Sequence, residues 1–226
     1  MVLVGIDYSI TSPGVVMLRT YGSDEVVGEL SWFGFTSVKK HVASFSDLLV
    51  YVKKDMFVSD MERYEFMAKT ILDRIKEFAK DDEVIVAIEG YALGSSNGLI
   101  FNIAEATAIL KYNIWNAGYK LRVYDIGAIK KFGCGSGNGD KVSMGKAFAV
   151  ASDCMKPVLW DLEEYKSPRA DIVDAYWIAQ MLLVEIHLRK GLVALRSLSE
   201  KRIEVFNATS KSNQVNILER EFVEKS

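Results

Sequence analysis

Val2-Leu3-Val4-Gly5-Ile6-Asp7, continuing through Tyr8-Ser9-Ile10-Thr11 into Ser12-Pro13-Gly14-Val15-Val16, is the stretch on which the fold turns. A short apolar run closes on an acid, Ser-Pro-Gly is turn chemistry, and a second apolar run follows over residues 14–20. A third, over 26–35, alternates through Glu29-Leu30-Ser31-Trp32. Three adjacent short runs joined by turns predict an antiparallel meander. Residues 36–59 show no clear period and read as a partly helical insertion.

Beyond the meander the period changes. Tyr64, Met67, Ala68, Ile71, Leu72 and Ile75 recur at spacings of three and four, with Glu62, Arg63, Lys69, Asp73 and Arg74 between them. That pattern is an amphipathic helix, with Asp60 as a suitable N-cap. Residues 84–88, Val-Ile-Val-Ala-Ile, form the continuous apolar run of a strand buried on both faces. A Gly/Ser/Asn loop over 94–98 leads to a helical pattern over about 99–116, and 121–124 reads as another strand. A glycine-rich loop over 133–139 precedes a helix from about Lys141, and a further helix spans about 170–190. Strands first, then alternating helix and strand, predict an α/β fold with a mixed sheet covered by helices on both faces. We place one domain at 1–190 and a polar extension at 191–226.

Composition narrows the function. The 226 residues are 50% hydrophobic and 26% charged, with three prolines, which excludes disordered, collagenous and disulfide-scaffold classes. Lys and Arg number 28 against 30 Asp and Glu, so a generally polybasic nucleic-acid binder is excluded, though a local basic site is not. Cys134, Cys154, His41 and His187 fit no metal spacing. The N-terminus carries no basic leader, and no window is long enough to cross a bilayer, so a soluble cytoplasmic protein is expected.

Four carboxylates stand where a core needs none. Asp7 and Glu89 each end a buried apolar run, and Asp171 and Asp174 share one face of the first turn of a helix. Taken singly they have plainer readings, as turn residue, exposed strand end and helix-dipole complement. Gathered at strand ends, they are costly unless protonated or neutralised by cations, and hard oxygen donors suit Mg²⁺ or Mn²⁺. The loop Gly133-Cys134-Gly135-Ser136-Gly137-Asn138-Gly139, flanked by Lys130, Lys131, Lys141 and Lys146, matches neither the phosphate-loop nor the dinucleotide pattern. A basic glycine-rich loop can still follow a phosphate backbone.

In family order, four blocks resemble the RuvC-type Holliday-junction resolvases, especially their phage-encoded branch. They are Gly5–Val16 with Asp7, Ile88-Glu89-Gly90-Tyr91 with Phe101-Asn102-Ile103-Ala104-Glu105, Ile129–Lys141 with Met144, and Asp171-Ile172-Val173-Asp174-Ala175-Tyr176. The resemblance implies an RNase H-like mixed five-stranded sheet, a homodimer, and hydrolysis of phosphodiesters in four-way or otherwise branched DNA, leaving 5′-phosphate ends. It implies two Mg²⁺ ions, replaceable by Mn²⁺, held by Asp7, Glu89, Asp171 and Asp174, with Lys141 as the active-site lysine. In such chemistry one ion activates water and the other stabilises the leaving oxygen about 4 Å away. Tyr91 falls near the family's base-stacking aromatic, and Lys130, Lys131, Lys141 and Lys146 would contact DNA. The 36–59 and 191–226 segments and the slightly acidic net charge depart from the pattern. Two rival readings are an actin- or hexokinase-like ATP-binding protein, from Asp7-x-Ser9-x-Thr11, and a catalytically silent nucleic-acid-binding module of the same fold.

Overall fold

A computed structural model of the chain describes residues 1–45, 47–91, 99–151 and 162–211. The loop expected over 94–98 and Cys154 lie outside them. Alternation within the central strands builds two separate cores. Leu3, Val16, Leu18, Ile85 and Ala87 point to one face of the sheet, and Val2, Val4, Ile6, Val15, Val86 and Ile88 to the other. Both faces must therefore be covered.

The expected meander is present as β1 (Val2–Asp7), β2 (Gly14–Tyr21) and β3 (Val26–Thr36), paired antiparallel. The insertion supplies α1 (Lys39–Ser44) and β4 (Leu49–Tyr51), which runs parallel to the end of β3 through Gly34↔Leu49 and Thr36↔Tyr51. β5 (Val84–Glu89) and β6 (Lys120–Tyr124) are each parallel to their inner neighbour. The sheet order is β4-β3-β2-β1-β5-β6. It has six strands where five were expected. The sixth is β4, three residues within a segment too short and irregular to show strand periodicity.

Helices α2 (Asp60–Ala79) and α3 (Leu99–Asn116) cover one face. The N-cap of α2 is Ser59, not Asp60: Ser59 Oγ accepts from the Glu62 N–H at 3.2 Å, and Glu62 accepts from the Val58 N–H at 2.7 Å. Asp60 instead pairs with Arg63 at 2.9 Å. The other face carries α4 (Ile126–Cys134), α5 (Lys141–Ala151), α6 (Arg169–Arg189) and α7 (Glu200–Lys211). α7 lies in the expected extension, yet its Val205 and Phe206 are buried in the same core as Phe132 and Trp177.

α6 is apolar almost all round because it lies directly on the sheet. Gly5 makes this possible: a Cβ there would overlap the backbone of Ala175 and Ala179. At its far end α6 is tied to β6 by fully buried Glu185. That carboxylate accepts from Arg122 Nε at 3.0 Å, Tyr124 Oη at 2.6 Å and Arg189 Nη2 at 2.7 Å. With one end pinned, its N-terminal turn is held over the ends of β1 and β5.

Candidate active site

Register decides where the acids meet. Ile6 pairs with Ile88 in parallel, so the next residue on each strand is a carboxylic acid, and Asp7 and Glu89 emerge side by side. Asp7 also pairs across β2 with Gly14. A Cβ on Gly14 would overlap the Asp171 carbonyl, so this glycine lets the first turn of α6 descend onto the strand ends. Asp174 follows one turn on, beside Asp171.

The four acids lie within one another's fields. Burial holds the Asp7 carboxyl well above its usual value, and the charges of Glu89, Asp174 and Asp171 raise it further. Glu89 is also raised, first by burial; a hydrogen bond from Asp7 and the charges of Lys130 and Lys141 oppose the rise. Two adjacent buried carboxylates cannot both ionise cheaply, which is why the charge of each disfavours that of its neighbours. Asp174 is pushed up to about 7 by burial and then by Glu89, against the pull of Lys141 and Lys130. Asp171 has two direct partners. Ser12 Oγ donates to its Oδ2 at 2.6 Å, and Lys141 Nζ to its Oδ1 at 3.3 Å.

The lysines divide by direction. Lys141 opens α5 with its side chain about half exposed, and Lys130 on α4 reaches the field of Glu89 and Asp174. Lys131, one residue on and so about 100° round the helix, is paired with Glu204 of α7. Lys146 is exposed, near Asp140, whose Oδ1 accepts from the Ser143 N–H at 2.8 Å. Tyr91 is exposed just beyond Glu89, its ring under Lys111 Nζ at 4.6 Å from the centroid. Ser12 was not among the sequence-derived candidates. Its only signal was membership of the Ser-Pro-Gly turn, which does not reveal a partner 159 residues away.

This donor set fits a hard divalent cation in charge and chemistry: all donors are oxygens, and mutual repulsion already forces protons onto them. Among the described residues, no three His, Cys, Asp or Glu side chains are gathered at coordination spacing. Asp7, Glu89, Asp171 and Asp174 would hold such an ion in their ionised form, with their oxygens closer together than they stand here.

No family model and no curated protein matches the sequence. Solved structures do match. Thermus thermophilus RuvC is 21% identical with a TM-score of 0.51, over 85% of this chain and 98% of that one. The same protein in complex with a Holliday-junction substrate gives 20% and 0.52, over 82% and 93%. The yeast mitochondrial Holliday junction resolvase Ydc2 gives 12% and 0.51, over 78% and 75%. At these identities the likeness is one of fold: the chain has the RNase H-like fold of the RuvC-type resolvases.

Proposed function

We propose that this chain is a structure-selective, divalent-metal-dependent DNA endonuclease that resolves four-way junctions. The observation that carries the reading is the convergence of Asp7, Glu89, Asp171, Asp174 and Lys141, from four separate segments, on one end of the sheet. The fold adds support, since a T. thermophilus protein sharing it is seen with a Holliday-junction substrate.

The four acids would hold Mg²⁺ or Mn²⁺, which when bound supplies an acidified water and charge neutralisation at the phosphate. The chain's own residues have distinct tasks. Asp7 and Glu89, side by side at the ends of β1 and β5, would offer their oxygens to the cation from neighbouring strands. Ser12 fixes the Asp171 carboxylate by donating to one oxygen, leaving the other for Lys141. Lys141, half exposed beside it, offsets negative charge growing on the scissile phosphate. Lys130 adds positive potential near Glu89, and Lys146 and Tyr91 offer a phosphate contact and a stacking face to DNA.

Symmetric junctions call for paired active sites, and the chain acts as a homodimer. α3 offers a face for it: Phe101 is 72% exposed, and Tyr112 and Trp115, about three and four turns on, share that side and contact each other.

Purified protein should cut a synthetic four-way junction in Mg²⁺, leaving 5′-phosphate ends. Asp7→Asn and Asp174→Asn should abolish cleavage while junction binding persists. A native protein that binds ATP and cuts no DNA would overturn the reading; equal cutting of flaps, forks and junctions would widen it to a debranching nuclease.

A further inference from the structure

The segment read as a polar extension closes a groove against α4. Residues 197–202, leading into α7, face the C-terminal turn of α4 across a space of about 430 Å³. Gly133 and Gly135 lie on the α4 side, where the chain passes through Gly135 at φ 81° into the glycine-rich loop that ends at Lys141. The groove and the candidate catalytic lysine therefore stand at the two ends of one loop. Lys130, which acts on Glu89 and Asp174, lies about one turn back along α4.

The described residues lining the groove include three cations, Lys131, Lys201 and Arg202, and no carboxylate. The three are not equivalent. Lys131 and Lys201 share Glu204, the second at 3.0 Å, and Glu200 also acts on Lys201, so acids of α7 behind the groove answer the two lysines. Arg202 has no carboxylate partner among the described residues. Its guanidinium carbon lies 4.2 Å from the Phe132 ring centroid, and its Nε donates to Phe132 O at 3.4 Å. Burial against this apolar surface pulls its pKa down. These contacts fix the half-buried stem and leave Nη1 and Nη2 without a hydrogen-bond partner among the described residues. The hydroxyl of exposed Ser199, on the same groove, is likewise unpaired among them. A planar fork held in place with two free N–H edges, in a groove that presents no acid, suits the paired oxygens of a phosphate. Resting on the nuclease reading, we propose that the groove between α4 and the start of α7 is a DNA-phosphate site beyond the acid cluster. Arg202 is its two-pronged contact, Ser199 donates beside it, and the bound strand follows the glycine-rich loop toward Lys141.

The test is equilibrium binding of a labelled synthetic four-way junction to the full chain in EDTA, with salt raised from about 50 to about 200 mM. Loss of one phosphate contact makes the slope of log affinity against log salt shallower by about 0.9. Arg202→Gln should show that change, its deficit against the wild type shrinking about 3.5-fold over this range. Arg202→Lys should keep the wild-type slope yet bind more weakly, because the charge is retained and the fork is not. Ser199→Asp supplies a variant that spares the fold: the Ser199 carbonyl accepts from the Ile203 N–H at 3.0 Å, as at a helix N-cap, and Asp caps as well as Ser. It should keep the melting temperature and weaken junction binding, which a merely structural role for this turn would not produce. If the wild type binds and cuts junctions while a cooperatively melting Arg202→Gln keeps the wild-type slope, the groove proposal fails and the nuclease reading stands. Should Arg202→Gln not fold, wild-type affinity in Ser199→Asp overturns the proposal in the same way. If the wild type neither binds nor cuts junctions, both fall.

Discussion

Replacing Asp174 with Asn should stabilise the metal-free protein at neutral and alkaline pH, even as it removes cleavage. The carboxyl titrates at its ordinary 3.8 when unfolded and at about 7 when folded, because burial and Glu89 disfavour its charge. Between those values the folded chain holds a proton that the unfolded chain has released. Stability from this group is thus fully present below 3.8 and falls as pH rises through about 7. From 3.8 to about 7, at about 1.4 kcal/mol per pH unit, the cost reaches about 4 kcal/mol. For a chain of this size that is about 10 °C in Tm. An amide of the same shape does not titrate there. Thermal melts in EDTA from about pH 4 to about pH 8.5 should show the variant drawing ahead of the wild type as pH rises, the gap levelling off above about pH 7.5. Mg²⁺ at about pH 8 should raise the wild-type Tm and narrow the gap, since it binds the ionised carboxylates. A variant that melts at or below the wild type at about pH 8 without metal would refute the reasoning, because Asp174 would then not be a carboxylate held against its own charge.

Three further outcomes follow from the same geometry. Ser12→Ala should raise the Mg²⁺ concentration needed for half-maximal cleavage by about tenfold, as losses of carboxylate-orienting partners do, measured by metal titration of junction cleavage. Gly14→Ala, whose new methyl overlaps the Asp171 backbone, should lift the first turn of α6 away from Asp7 and reduce single-turnover cleavage at least a hundredfold. Wild-type rates would show that the close approach is not required. Neighbouring lysines should separate: Lys130→Ala lowers cleavage and further raises the Asp174 pKa, read by NMR titration, whereas Lys131→Ala chiefly lowers Tm by uncoupling α4 from α7.

Much of the molecule was legible before any coordinates. The apolar runs of β1 and β5 and the three-four spacing of α2 are local properties, so they announced two buried strands and a helix from sequence alone. The acids stood out because each interrupts a pattern that otherwise builds core. The insertion was harder: β4 is held by backbone pairing to β3 rather than by any alternation of its own, so its strand character exists only once β3 is beside it. The packing of α7, within the segment read as a polar extension, had the same source, since two buried apolar side chains in a polar helix leave a faint signal until α4 is there to receive them.

Sequence by itself determined most of the strands and the longer helices, which acids were out of place, and the order in which the resolvase-like blocks appear. Tertiary structure alone decided that Asp7 and Glu89 stand side by side, that Ser12 reaches Asp171, that Lys130 acts on the acids while Lys131 pairs with Glu204, and that the chain leaves β3 for α1 at the end of the sheet where the acids gather. The division has a physical cause. Side-chain periodicity records which face an element buries, but which groups meet depends on strand register and on how closely a helix can approach a glycine such as Gly5 or Gly14. Those distances are set by the whole packed chain.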